Sequence, residues 1–141
     1  MKKLLVLLVL ICSFVLVGCS FNKKQVKCTQ TASDLNVEYN VEFVMNKIKT
    51  INFSSEMDLS KYSDVQIEMF KKQDFCNLFK QSTRVYKNAF DSCDQKVINK
   101  RLKVDADLNI KKIDKGVLKK MNTPKSTKKY LENIGYTCTI K

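Results

Sequence analysis

The sequence predicts an α+β domain, an antiparallel sheet of about 4–5 strands with a long helix and a shorter C-terminal helix packed on it. Three observations carry that prediction. Apolar residues alternate with polar ones across residues 37–57, at the period of two that marks half-buried strands. A stripe with steps of three and four runs from Val65 to Phe90, the spacing of one helix face. A shorter helical pattern follows Thr123-Pro124, and alternation returns at Tyr136, Cys138 and Ile140.

Residues 28–33 form a short strand that ends at the turn Ser33-Asp34. Val37, Tyr39, Val41, Phe43 and Met45 then share one face of a second strand, opposite Glu38, Asn40 and Glu42. Ile51, Phe53 and Met57 share a face of a third, opposite Asn52, Ser54 and Glu56. A two-residue Asn46-Lys47 loop would pair Val41 with Asn52 and mix the faces. A three-residue loop, Asn46 to Ile48, pairs Phe43 with Ile51, Val41 with Phe53 and Val37 with Met57, so register favours it. Asn46 or Lys47 takes the bend's unusual backbone angles.

Ser63-Asp64-Val65-Gln66 has the form of a capping box. Val65, Met69, Cys76, Phe79, Tyr86 and Phe90 continue behind it as the stripe of a helix of roughly 25 residues, broken near Ser82-Thr83, where side chains compete for backbone hydrogen bonds. Ile67, Phe70, Leu78 and Val85 widen that stripe. Asp91 to Asp94 reads as a loop around Cys93, and Val97 to Val104 as a strand. Segment 107–121 fits helix or strand; short helical turns from Asp107 are preferred. Thr123 caps a helix with Pro124 in its first turn, and Gly135 stops it.

The N-terminus carries a different signal. Lys2 and Lys3 precede fourteen uncharged residues, Leu4 to Val17, the pattern of a secretory leader. The run is shorter than the ~17–25 residues of a spanning helix. It ends in Leu16-Val17-Gly18-Cys19, which resembles the lipobox of bacterial lipoproteins. That resemblance implies diacylglyceryl transfer to the Cys19 sulfur and cleavage between Gly18 and Cys19. The expected organisation is a leader at 1–18, a tether at 19–27 and one domain at 28–141, facing outward from the bacterial cell membrane.

Six cysteines divide accordingly. Cys12 leaves with the leader, Cys19 takes lipid, and Cys28, Cys76, Cys93 and Cys138 remain as two disulfides in an oxidising compartment. Three connectivities are open. Cys76–Cys93 with Cys28–Cys138 is favoured, a short loop and a link between the first and last strands. A zinc site is disfavoured by the absence of histidine and by spacings without C-x-x-C. Redox catalysis, as in a thiol oxidoreductase, is disfavoured on the same spacing.

The chain has 26 basic and 14 acidic residues, net +12. The excess is densest at Lys111, Lys112, Lys115, Lys119 and Lys120. Such a set attracts anionic lipid or anionic wall polymer; a solvated lysine-rich face is the plainer reading. Nucleic acid would also be attracted, but neither the compartment nor any recognition pattern supports it. Zero histidines remove the commonest general base, and three glycines leave no phosphate-cradling loop. Asp105-x-Asp107-x-Asn109 begins like a calcium loop, yet Ile110 and Gly116 stand where glycine and glutamate belong. No cofactor or catalytic set is expected.

The order of leader, hairpin, long helix, strand, Asp-rich turn, short helix and strand resembles the YehR-like family of small bacterial lipoproteins, whose function is not established. The likeness covers most of residues 35–140, and is clearest around Asn46-Lys47, along Leu102-Lys103-Val104-Asp105-Ala106-Asp107, and from Thr127 to Tyr136. It implies an antiparallel sheet with helices packed against it, and supplies no catalytic residues. The four cysteines after Cys19 depart from that family's pattern. The expected function is a lipid-anchored, non-catalytic binding or scaffold module; an envelope binding protein for a small ligand or peptide is the alternative.

Overall fold

Alternation of buried and exposed side chains organises the whole molecule around one sheet. The computed structural model describes residues 22–82 and 88–141. Among them, the strands are β1 (Lys23–Ala32), β2 (Leu35–Val44), β3 (Lys47–Asp58), β4 (Phe90–Ile98), β5 (Arg101–Leu108) and β6 (Thr137–Ile140). The helices are α1 (Asp64–Lys72), α2 (Phe75–Ser82), α3 (Lys115–Lys120) and α4 (Pro124–Asn133), with a 3₁₀ turn at Ile110–Lys112. All strand pairs are antiparallel, in the order β4-β5-β3-β2-β1-β6. The expectation of 4–5 strands is therefore corrected to six.

The additional strand pairing arises in two places. β1 begins at Lys23, inside the segment read as a tether, because Val26 completes an alternation with Cys28 and both are fully buried. The segment read as a loop at 91–94 lies within β4, and the strand read at 97–104 is a hairpin. Its turn residues Asn99 and Lys100 have φ of 49° and 56°. This left-handed pair suits the twist of a two-residue hairpin, and asparagine tolerates it better than most residues.

The β2–β3 connection is shorter than register alone suggests. Met45 and Asn46 form a two-residue turn with φ of 51° and 59°, and Val44 pairs with Lys47. A bulge beyond Phe43 then shifts the ladder, so that Val41 faces Ile51, Tyr39 faces Phe53 and Leu35 faces Met57. The extra residue restores face matching that a plain two-residue loop would destroy.

The predicted long helix is two helices. Ser63 caps α1 through the expected box with Gln66. The chain then turns extended at Gln73, and Asp74 accepts a hydrogen bond from the Asn77 amide at 2.9 Å. Gln95 on β4 holds the break from the other side. Its amide donates to the Gln73 carbonyl at 2.7 Å, and its oxygen accepts from the Phe75 amide at 2.7 Å. A break resets helical phase. Ile67 thus points inward while Val65 and Met69, expected on the stripe, are 73% and 67% exposed. Phe90 belongs to β4; Val85, Tyr86 and the Thr83 side of the expected break lie outside the described residues. β5 runs on through Leu108, and the helical turns expected from Asp107 start at Ile110.

One sheet face is apolar and covered. Val26, Cys28, Val41, Phe43, Ile51, Phe53, Val104 and Ala106 are buried there, with Met121 and Leu131 from the helical layer. Leu59, Ile67 and Leu102 form a second buried group beneath α1. Thr127 is a polar exception at 0% exposure, and its hydroxyl donates to the Met121 carbonyl at 2.9 Å. Thr127→Val should cost about 1–2 kcal/mol in urea unfolding, because the carbonyl loses a buried partner. A cost below about 0.5 kcal/mol would show that the bond is dispensable.

Candidate functional site

The cysteines come together in two pairs. Cys28 and Cys138 lie directly opposite each other on β1 and β6, Cα atoms 4.1 Å apart, and are bonded. Cys76 on α2 bonds Cys93 on β4 across a Cα separation of 5.9 Å. The first bond clamps the four-residue edge strand, and the second ties a helix to the opposite edge. Two such bonds fit a non-cytoplasmic, oxidising compartment. Gly18 and Cys19 lie outside the described residues. No helix among the described residues is long and apolar enough to cross a membrane.

The lysine set separates along the fold. Lys111 and Lys112 sit on the 3₁₀ turn at the end of β5, whereas Lys115, Lys119 and Lys120 belong to α3. Asp114 caps α3 by accepting from the Gly116 and Val117 amides at 2.8 and 3.2 Å. Lys120 stands 5.7 Å from the centre of the Tyr130 ring. Lys112 pairs with Asp91 at 3.6 Å.

Sequence order hides the rest of the basic surface. The β3–β5 pairing of Ile51 with Leu108 brings Lys49 beside Lys111, and together they line an open groove of about 480 Å³. On the neighbouring strands, Lys23, Lys24 and Lys141 line a second depression of about 290 Å³. Only strand order across the sheet reveals this, since the contributing segments lie far apart in sequence.

The other end of the sheet mixes paired charges with Lys96 and Lys103, which are in no ion pair among the described residues. Lys61 meets Asp34 at 3.0 Å, Arg101 meets Glu56 at 2.8 Å, and Lys100 meets Asp64 at 3.7 Å. Asp34 pushes the Lys61 ammonium above its ordinary value by hydrogen bond and charge. Hydrogen bonds from the Ser60 backbone and side chain hold the Asp58 carboxyl below its ordinary value.

The uncovered sheet face is polar. Glu38, Asn40, Asn52, Ser54, Asp105 and Asp107 surround a shallow depression of about 310 Å³. Two of its acids have partners: Glu38 pairs with Lys27 at 2.9 Å, and Asp107 accepts from Asn52 and from Ser92. Asn109, third in the calcium-like run, instead caps the 3₁₀ turn by accepting from the Lys111 amide at 3.0 Å. Among the described residues, no group of three or more acidic or cysteine side chains is arranged to hold a metal ion.

The chain matches no protein-family model, no curated protein and no solved structure.

Proposed function

We propose that this chain is a lipoprotein of the bacterial cell membrane, anchored through lipid on Cys19, whose outward-facing domain binds or scaffolds without catalysis. The observation that supports it best is the cysteine partition. Each of Cys28, Cys76, Cys93 and Cys138 is bonded to another of the four, which leaves Cys19 for acylation after the leader is removed. Two or more acyl chains give stable anchoring where one does not, at ~0.8 kcal/mol per buried CH₂. The likeness to YehR-like lipoproteins belongs to the same proposal, and an antiparallel sheet covered by helices agrees with it.

The interior favours a scaffold over a small-ligand carrier. Phe43 and Phe53 are 1% and 4% exposed, and the Phe53 and Phe79 rings meet at 5.1 Å. Their contacts fill the space where a ligand between sheet and helix would sit. Fully paired thiols likewise weigh against an oxidoreductase, for which a reactive thiolate is needed.

Cys19→Ser decides the anchor. Wild type should partition with membranes at high salt and carry acyl mass on its N-terminal residue. The variant should lose the acyl mass and keep its leader uncleaved. Acylation elsewhere, or a wild-type N-terminus without lipid, would overturn the reading.

A further inference from the structure

The point where the chain enters the domain is marked by chemistry. The Asn22 carbonyl accepts from the Met45 amide at 3.4 Å, so the entry lies against the tip of the β2–β3 hairpin. Three residues from Cys19 to Asn22 span at most about 11 Å. Whatever lipid Cys19 carries is therefore held close to this tip. The opposite end of β1 is about 30 Å away, ten residues at strand rise.

The two ends differ in part in how their cations are used. At the distal end, Lys61, Lys100 and Arg101 meet carboxylates, while Lys96 and Lys103 meet none among the described residues. At the hairpin end, Lys23, Lys24, Lys47, Lys49 and Lys111 are in no ion pair among the described residues. Two of the nearby acids are occupied. Asp91 is met by Lys112 and by the Asn109 amide at 3.0 Å, and Asp107 by Asn52 and Ser92. Glu42, on the polar face of β2, lines the depression with Lys23, Lys24 and Lys141 but is in no ion pair among the described residues, so one carboxylate offsets part of that charge.

Met45 sits at the tip of this end, next to Val44, which pairs with Lys23 and Lys47. It is 64% exposed at the tip, in a left-handed conformation that glycine or asparagine would hold with less strain. A flexible apolar side chain at an end that carries unpaired ammonium groups matches a membrane interface, where acyl chains lie beneath anionic phosphates.

We propose that the hairpin end, through Met45, Lys47, Lys49 and Lys111 with Lys23 and Lys24, docks on the anionic phosphate headgroups of the bilayer that holds the anchor. This rests on the anchor reading above and adds an orientation to it. The sheet stands on its hairpin end, and α1, with exposed Val65 and Met69, faces away from the bilayer. The lysines of α3 are then neighbours of the contact, not its centre.

The acylated full-length mature protein tests this when reconstituted into vesicles of phosphatidylcholine alone or mixed with phosphatidylglycerol. Amide exchange over residues 45–49 and 110–112 should be about tenfold slower on the anionic vesicles, and the difference should vanish at high salt. Lys47→Gln/Lys49→Gln/Lys111→Gln should weaken docking by about a hundredfold, at about fivefold per lysine. Lys61→Gln/Lys71→Gln/Lys100→Gln should leave it unchanged. Met45→Gly should preserve or raise thermal stability and still reduce the protection, which separates docking from folding. Equal exchange on both vesicles, or protection over 64–72 instead, overturns the docking while leaving the anchor intact. Protection by soluble polyglycerol phosphate equal to that by vesicles assigns the surface to wall polymer and overturns lipid docking. A protein with no acyl mass on Cys19 overturns both.

Discussion

Removing the Cys28–Cys138 bond, as Cys28→Ala/Cys138→Ala, should cost about 4–5 kcal/mol, against about 3 kcal/mol for Cys76→Ala/Cys93→Ala. The difference follows from loop closure. The first bond joins residues 110 apart and the second residues 17 apart, so the unfolded chain regains more freedom when the first is lost. Local structure adds to it. β6 has four residues at the sheet edge and pairs only with β1. Without the bond it is held by that short ladder and by the reciprocal Gln25–Lys141 backbone bonds, both 2.9 Å. For a domain whose total stability is of order 5–15 kcal/mol, the long-loop variant sits near its unfolding threshold. Urea unfolding of the two double variants reads the comparison, and amide exchange should show residues 137–141 opening first. An equal or smaller cost for the long-loop pair would mean that the unfolded chain is already held together near its ends.

That pairing also marks how far the sequence could be read. Alternation announces β2, β3 and the closing strand, and cap chemistry at Ser63 and Thr123 announces the starts of α1 and α4. The largest failure depends on a side chain far away in sequence. The helix break at Gln73 needs Gln95, which sits on a strand 22 residues later and supplies hydrogen bonds that the helix interior would otherwise make. Once that break is missed, Val65 and Met69 are assigned to the wrong face, because a stripe drawn through two helices averages two phases. The bulge beyond Phe43 shows the same limit at shorter range: face matching excludes a plain two-residue loop, but cannot distinguish a longer loop from a short one with a bulge.

The candidate surface was legible only in part for a related reason. Lys111 and Lys112 stand in the densest basic run, whereas Lys23, Lys24, Lys47 and Lys49 occur in ordinary strand sequence. Their juxtaposition depends on which strand ends share an edge of the sheet, and the order β4-β5-β3-β2-β1-β6 is set by long-range pairing. What local sequence does carry is the entry point. Cys19 lies four residues before Lys23, so any reading that anchors Cys19 also fixes which end of β1 is nearest the bilayer.

Phe53→Ala should cost about 3–5 kcal/mol, the largest expected loss from a single substitution in the larger buried group. Phe53 lies on β3, inside the sheet, and is 4% exposed. Its ring centre is 5.3 Å from Tyr39 on β2, 5.1 Å from Phe79 on α2 and 6.5 Å from Phe90 on β4. Truncation therefore removes one side chain's buried area and also the tilted and edge-on contacts that join three other elements, each worth about 0.5–1.5 kcal/mol beyond area. Met69→Ala, at a position 67% exposed, should stay within about 0.5 kcal/mol and serves as the reference. The comparison bears on function as well as stability. A scaffold with a filled interior must lose heavily when this ring is removed, because no neighbour has room to relax into the cavity. A carrier with latent space between sheet and helix would repack and lose less than about 1.5 kcal/mol. Urea midpoints of the two variants thus separate the two readings, and a small loss at Phe53 would move the argument toward the ligand carrier.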